Sequence, residues 1–428
     1  MKSIIISIGD EVLIGQVVNT NAAWLGNELL SIGIPAARIV TVPDSEKDIL
    51  KEFKAAFRDY DVIAVTGGLG PTHDDITVKT VAKFFKSKYV LNEKVLKHVK
   101  SIFARRNITM PAVNIGQALV PEIAQVLENK TGTAPGLLID KAGKVFCVMP
   151  GVPYEMKYIT QTGLIPYLTK KYKKKITKVI RHKTLHTIGI GESLLAEKIG
   201  DINKIVRKGK DFEVKLAFLP SNYEVRLRIT AIAANISRAE KLIGDAEKII
   251  KRKAGMYIYS FNEGSIEKTT GELLKKKKLT IAAAESCTGG LITSKLTDIP
   301  GSSDYVMDAI VAYSNEAKRR LLGVKAETIK KYGAVSKQTA IEMARGIRKR
   351  SKTDIGISVT GIAGPTGARP GKPVGLVWIG YSDKKTAFAK DFIFTKDRLR
   401  NKDIMAKMAL EIVRKHITID SKAINNRQ

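Results

Sequence analysis

The sequence predicts an α/β protein: two three-layer α/β domains joined by a small α+β module. Three observations carry this expectation. Apolar, strand-like runs alternate with helix-spaced segments at both ends of the chain. Between them lies a stretch of different texture, richer in strand patterns. The 428 residues also exceed what one ordinary core accommodates. The expected boundaries are 1–170, 171–255 and 256–428.

In the first segment, "SIIISIG" (3–9) reads as a buried strand, and "NTNAAWLGNELLSIG" (19–33) as a helix with a glycine stop. "YDVIAVTGGLGPT" (60–72) and "KVFCVMPGVPYEM" (144–156) are further apolar runs ending in Gly or Pro-Gly. Such alternation predicts a parallel sheet covered on both faces. After "IPYLTKKYKKK" (165–175) come "KITKVIRHKTLHTIG" and "FEVKLAFLPSNYEVRLRITAIAANI", strand-like, with helical "ESLLAEKIGDI" and "RAEKLIGDAEKIIKRKAG". From about 262 a second α/β unit follows: a helix (264–277), "LTIAAA", a helix (288–297), "YVMDAIVAYS", helices at 315–322 and 336–350, "DIGISVT", "VGLVWIGYS", "AFAKDFIFT" and a last helix from about 397.

Composition is that of a folded globular protein, 44% hydrophobic and 27% charged, with no apolar run near the ~20 residues needed to span a bilayer. The short N-terminal apolar run meets Gly9, Asp10 and Glu11 at once, which suits a strand and not a secretory leader. Cys147 and Cys287 are too far apart to suggest a disulfide framework or metal spacing. A cytoplasmic location is expected. The net charge of +31 divides as +4 over 1–170, +12 over 171–255 and +15 over 256–428. Much of it is lysine in "KKYKKK" (170–175) and "KKKK" (275–278), with Tyr172 the one aromatic among them and so little to stack bases. That favours a lysine-rich solvated surface over a nucleic-acid site.

Ligands of open α/β sheets sit beyond the carboxyl ends of the strands. There the last segment delivers Glu285, Ser286, Cys287, Thr288, Gly289 and Gly290 after "LTIAAA", and Tyr313 and Ser314 after the next strand. Lys318 follows in the first turn of a helix, then Thr360 with the loop "GIAGPTG" (361–367), and Arg398 at the start of the last helix. This set suits acyl transfer by a serine, which needs a nearby base. His73, His98, His182 and His186 precede the domain and His416 sits near its end, so lysine is the remaining base, as in Ser–Lys variants of the triad. The helix dipole at Lys318 and like charge from Arg398 would favour the neutral amine. Backbone N–H groups near the glycines would hold the oxyanion. The ordinary alternatives are that Ser-Cys-Thr before two glycines caps a helix, that Lys318 is solvated, that Tyr313 packs, and that Cys287 is a small buried hydrophobe.

"AESCTGG" (284–290), "AYSNEAK" (312–318), "GAVS" (333–336), "TGIAGPTG" (360–367) and "KPVGLVW" (372–378) resemble, in order, the nicotinamide-mononucleotide deamidase domain of the CinA family of competence/damage-inducible proteins. The resemblance implies hydrolysis of nicotinamide mononucleotide to nicotinate mononucleotide and ammonia, without a cofactor. It places the catalytic serine on Ser286, the lysine on Lys318, and the family's tyrosine and threonine on Tyr313 and Thr360. Gly289, Gly290, Gly361 and Gly364 would line the substrate, with Arg398 or Arg400 near it.

"IGDEVLIGQVVNTNAAWL" (8–25), "TGGLGPTHDDITVKTVA" (66–82) and "MPGVPYEM" (149–156) resemble the same family's N-terminal domain, similar in fold to molybdopterin-binding proteins. Some members hydrolyse ADP-ribose with a divalent metal, Mg or Co, and potassium. The residues suit a diphosphate: Gly67, Gly68, Gly70 and Thr72 for the phosphates, and Asp10, Glu11, Asp44, Asp74 and Asp75 as metal candidates. Asp74 and Asp75 could equally cap the helix starting near Ile76. The middle segment, with "TIGIGESLLAEKI" (187–199), resembles the family's KH-like module. It lacks the GXXG of RNA-binding KH domains between 171 and 255, so it reads as a linker or dimerisation element of a homodimer. Two other readings compete with a two-activity enzyme: an N-terminal domain that binds a pterin or nucleotide without turnover, and a nucleic-acid-binding competence factor.

Overall fold

The computed structural model describes residues 1–72 and 75–425. It divides into two compact units: 1–181 with 210–212 and 231–240, and the remainder of the chain from His182 onward.

In the first unit a six-stranded sheet runs in the order Ala36–Val42, Ser3–Ile8, Val62–Thr66, Lys144–Met149, Gly136–Lys141, Gln125–Leu127. All six residues of Ser3–Ile8 are buried, as its unbroken apolar run requires of a central strand. The first four strands are parallel, as expected. The other two are antiparallel, which the all-parallel expectation missed. The reversal between Gly136–Lys141 and Lys144–Met149 comes from a tight hairpin at Ala142 and Gly143, both with positive φ (50° and 77°), the geometry that matches strand twist in two-residue turns. Glycines bring the loop after Val62–Thr66 against its neighbours. Gly67 has φ 114°, and a Cβ there would lie 2.1 Å from the Ile8 carbonyl oxygen.

A second, five-stranded sheet has the order Arg207–Lys208, Glu213–Ser221, Glu224–Ala233, Val179–Ile188, Ile258–Phe261. The alternating burial along Glu224–Ala233 is that of a sheet with one wet face. Ile258–Phe261 pairs with Val179–Ile188, so this sheet extends past the expected boundary at 255.

The C-terminal sheet has the order Val306–Val311, Ile281–Glu285, Ile355–Gly361, Leu376–Ser382, Ala387–Ile393. The first three strands are parallel and the last two antiparallel. Ile281–Glu285 is central and buried throughout, so its end lies at a fixed point of the domain. The helix Lys337–Ser351 packs very closely on the sheet because the strands offer glycine there. A Cβ on Gly356 would lie 2.2 Å from the Ala344 carbonyl oxygen, and one on Gly380 2.3 Å from that of Ala340. The Ser358 hydroxyl donates to the Ala340 carbonyl at 2.6 Å, locking the register of helix on strand. Among the described residues no helix is long and apolar enough to cross a membrane.

Candidate active site

The site is built at the end of Ile281–Glu285. The expected helix over 288–297 begins later, at Leu291, after a turn in which Gly289 and Gly290 take φ of 62° and 94°. This delay has a physical cause in Glu285. Its buried carboxylate folds back under the turn and accepts from the Gly290 N–H (2.9 Å), the Ile292 N–H (3.1 Å), and the Thr293 N–H (3.0 Å) and hydroxyl (2.8 Å). The helix start is therefore capped by Glu285, not by the Ser-Cys-Thr run that sequence preference points to. Sequence reasoning missed this role because Glu285 reads as a strand residue; a carboxylate five to eight residues before a helix's first N–H groups is the only signal available.

Freed from capping, Ser286 meets Lys318. Lys318 lies in the helix Asn315–Leu322, whose N-cap Ser314 accepts from the Ala317 N–H at 3.0 Å. The Lys318 side chain is 1% exposed and Ser286 8%. Lys318 Nζ is 2.9 Å from Ser286 Oγ, 2.9 Å from the Ala312 carbonyl oxygen and 3.0 Å from that of Tyr313. A neutral amine has two N–H donors and one lone pair. With the donors spent on two carbonyls, the lone pair faces the serine hydroxyl, which is the arrangement of a general base. Burial holds the Lys318 pKa below its usual 10.5. This corrects the expected cause: desolvation lowers it, whereas helix dipole and Arg398 were invoked from the sequence. Between the lowered value and 10.5 the unfolded chain binds the proton the folded chain releases, so this group makes stability rise with pH in that window.

The other predicted residues fall into place unequally. Arg398 donates to the Gly364 carbonyl (3.0 Å) and to the Tyr313 hydroxyl (3.3 Å), so it ties the "GIAGPTG" loop to the Tyr313 segment. The Arg400 side chain makes no such link; its N–H donates to Asp397. Tyr313 is 64% exposed. Thr360 is buried and its hydroxyl donates to the Ala334 carbonyl at 2.8 Å, anchoring "GAVS" instead of reaching the nucleophile. Gly361 serves close packing, since a Cβ there would lie 2.7 Å from the Leu376 carbonyl oxygen. Cys287 is buried with its sulfur 3.6 Å from that of Met405, and burial pushes its thiol up to about 12. It is no thiolate nucleophile at neutral pH.

Two of the backbone N–H groups near the glycines are already engaged. Gly289 N–H donates to the Ser286 carbonyl (3.2 Å) and Gly290 N–H to Glu285, so neither glycine is open. Thr288 N–H has no acceptor among the described hydrogen bonds, and its buried hydroxyl has none either. A further cation missed in the sequence, Lys402, stands over the turn: its Nζ is 3.5 Å from where a Gly289 Cβ would be.

In the N-terminal unit Gly67, Gly68 and Gly70 line a cleft of about 430 Å³ together with Glu11, Asp44, Asp75 and Glu155. Asp10 and Asp44 exchange backbone-to-carboxylate bonds at 3.0 and 3.3 Å. Asp75 accepts from the Thr72 N–H and hydroxyl, closing a turn. It does not cap the helix Thr77–Phe85, which has no side-chain cap. Asp74 and His73 lie outside the described residues. Glu155, unforeseen, is buried and its carboxyl is raised by desolvation, offset by the 2.6 Å bond from Asn129. Among the described residues no three His, Cys, Asp or Glu side chains converge as a metal-ligand set. The described carboxylates thus do not by themselves form a metal cage.

A buried Ser–Lys pair at a strand end of one α/β domain and a glycine-lined cleft in another define a multidomain α/β protein with a candidate site in each. Family models match along the chain: a probable molybdopterin binding domain over 4–170, the damage-inducible protein CinA KH domain over 182–260, and the CinA C-terminal domain over 263–417. A CinA-like protein of Chloroherpeton thalassium is 45% identical over 422 residues, covering 97% of this chain and 99% of its own length. One of Kosmotoga olearia is 45% identical over 416 residues, covering 97% and 98%. The crystal structure of competence/damage inducible protein CihA from Agrobacterium tumefaciens is 39% identical, covers 36% of this chain and 96% of that one, and has a TM-score of 0.34. The chain belongs to the CinA family.

Replacing Glu285 by Ala strands the N–H groups of Gly290, Ile292 and Thr293 and is expected to cost about 3 kcal/mol in urea unfolding, a sum of charge-assisted bonds lost and donors left buried. A loss under about 1 kcal/mol would mean that the turn holds its shape without the carboxylate.

Proposed function

We propose that the C-terminal domain hydrolyses the carboxamide of nicotinamide mononucleotide through a serine acyl-enzyme. The observation that carries this reading is the buried 2.9 Å contact of Lys318 Nζ with Ser286 Oγ, its two other partners being carbonyls. Lys318 takes the hydroxyl proton as Ser286 Oγ bonds to the amide carbon. The oxyanion is met by backbone N–H groups of the turn, those of Cys287 and Thr288, which have no carbonyl acceptor among the described bonds. The intermediate collapses with cleavage of the C–N bond, Lys318 returning the proton to the leaving nitrogen as ammonia departs. Water, deprotonated by the same amine, then cleaves the ester and releases nicotinate mononucleotide. Arg398 and Lys402 supply positive charge for a phosphate-bearing substrate.

Ammonia release from nicotinamide mononucleotide checks this directly. Ser286→Ala should lower turnover by at least about 10³-fold, while Cys287→Ala should stay within about threefold, having lost only packing. The rate should fall with decreasing pH as Lys318 gains a proton, with a midpoint below 10.5. A dead Cys287→Ala beside an active Ser286→Ala would reverse the assignment.

For the N-terminal unit we infer a pocket for a diphosphate-bearing nucleotide such as ADP-ribose. Its support is the glycine turn at the mouth of an acid-lined cleft. Hydrolysis there rests on the family resemblance, and no step is derived through a metal. AMP formation from ADP-ribose with added Mg or Co, lost in Gly68→Ala, would support turnover. A Cβ at Gly68 would lie 2.2 Å from the Thr77 hydroxyl oxygen. Binding without AMP formation would leave a nucleotide-binding module.

A further inference from the structure

We propose that a basic cleft at the end of the C-terminal sheet opposite Ser286 binds an oligophosphate group. The cleft, about 570 Å³, lies between the end of the helix Lys337–Ser351 and the turn joining Leu376–Ser382 to Ala387–Ile393. It is separate from the deamidase site. Ser382 pairs with Gly356 and Val377 with Gly361, so the cleft and Thr360 lie toward opposite ends of the strand Ile355–Gly361, about 13 Å apart by strand rise from Gly356 to Thr360.

Six cations line it: Arg345, Arg348, Lys349 and Lys352 from the helix end, and Lys384 and Lys385 from the turn. The one acid among them, Asp383, is already engaged. It accepts from the Lys385 and Thr386 N–H groups (2.7 Å each) and the Tyr381 hydroxyl (3.1 Å), and faces His416 at 3.3 Å. Of the six, Lys384 alone has a described carboxylate in reach, Asp354 at 3.6 Å. That carboxylate also accepts from the Thr280 N–H and hydroxyl. Arg348 Nε is enclosed without any acceptor.

Cations in a last helical turn complement the helix dipole, which accounts for Arg348 and Lys349. The dipole does not explain why a second element brings Lys384 and Lys385 to the same hollow, where like charges repel. A multiply charged anion between them does. The cleft is of small-molecule size. Its two guanidinium groups offer forked donors that match phosphate oxygens, and the lysines add point charges. No aromatic side chain lines it, so it offers no platform for stacked bases, which argues against a nucleic-acid strand. The proposal does not depend on the deamidase reading.

The test is calorimetric titration of the full chain with inorganic tripolyphosphate and, separately, a nucleoside triphosphate, at about 150 mM salt to screen diffuse surface attraction. The readout is the difference between wild type and Arg345→Ala/Lys385→Ala, since the other domains are expected to hold phosphates of their own. One site per chain should weaken by at least about tenfold in the variant, the loss expected when charge-assisted bonds are removed, with ammonia release unchanged. Equal affinity for both ligands identifies the bare phosphate chain as what is recognised; a preference for the nucleotide identifies a nucleotide. Lys384→Ala/Lys385→Ala, confined to the exposed turn, should reproduce the loss should the first variant misfold. Identical isotherms for wild type and variants, or tighter binding of a single-stranded oligonucleotide than of tripolyphosphate, would overturn the proposal.

Discussion

Everything at the C-terminal site depends on one buried amine with two carbonyls and a hydroxyl around it. Among the described residues no carboxylate pairs with Lys318, so no counter-charge offsets the penalty of burial. The Ala312 and Tyr313 carbonyls would accept from either protonation state, but they leave the neutral amine only one direction for its lone pair, toward Ser286 Oγ. Both carbonyls belong to the segment that leads into the helix of Lys318 itself. The base is therefore oriented by its own local chain, while the nucleophile comes from the neighbouring parallel strand.

The second constraint is the turn that carries the serine. Ser286 is held from below: its N–H donates to the Val359 carbonyl at 3.0 Å, and Glu285 draws the following N–H groups under the turn. A carboxylate buried at 1% exposure is tolerable because four donors surround it. By capping the helix, Glu285 spares the serine hydroxyl for chemistry. Arg398, bridging the Gly364 carbonyl and the Tyr313 hydroxyl, joins the loops above. A rigid strand end below and a cationic rim above suit a small substrate that carries its own phosphate.

Much of this was legible in the sequence, because strands of a parallel sheet announce themselves as apolar runs and deliver their next residues to one edge. Ser286, Lys318, Tyr313, Arg398 and the loop near Gly364 were placed that way. The antiparallel edge of the N-terminal sheet was not, since "KAGK" lacks the Asn-Gly or Asp-Gly of a familiar hairpin and its turn relies on Ala142 at positive φ. Neither was the capping role of Glu285, nor the cause of the lysine's lowered pKa. Both depend on enclosure by segments remote in sequence, whereas dipoles and local charges can be read along the chain. The acids near Gly67 show the same limit: Asp10, Asp44 and Asp75 are metal candidates by residue type, yet each accepts from a backbone N–H in the fold.

The central claim, that burial makes the lysine beside Ser286 lose its proton more readily than an ordinary lysine and so act as a proton acceptor, is most directly tested by following the Lys318 Cε resonance in specifically labelled full-length protein through a pH titration. The account predicts a midpoint below the 10.5 of an ordinary lysine. A midpoint at or above that value would mean a permanent ammonium next to the serine, and the nucleophile would then have no base.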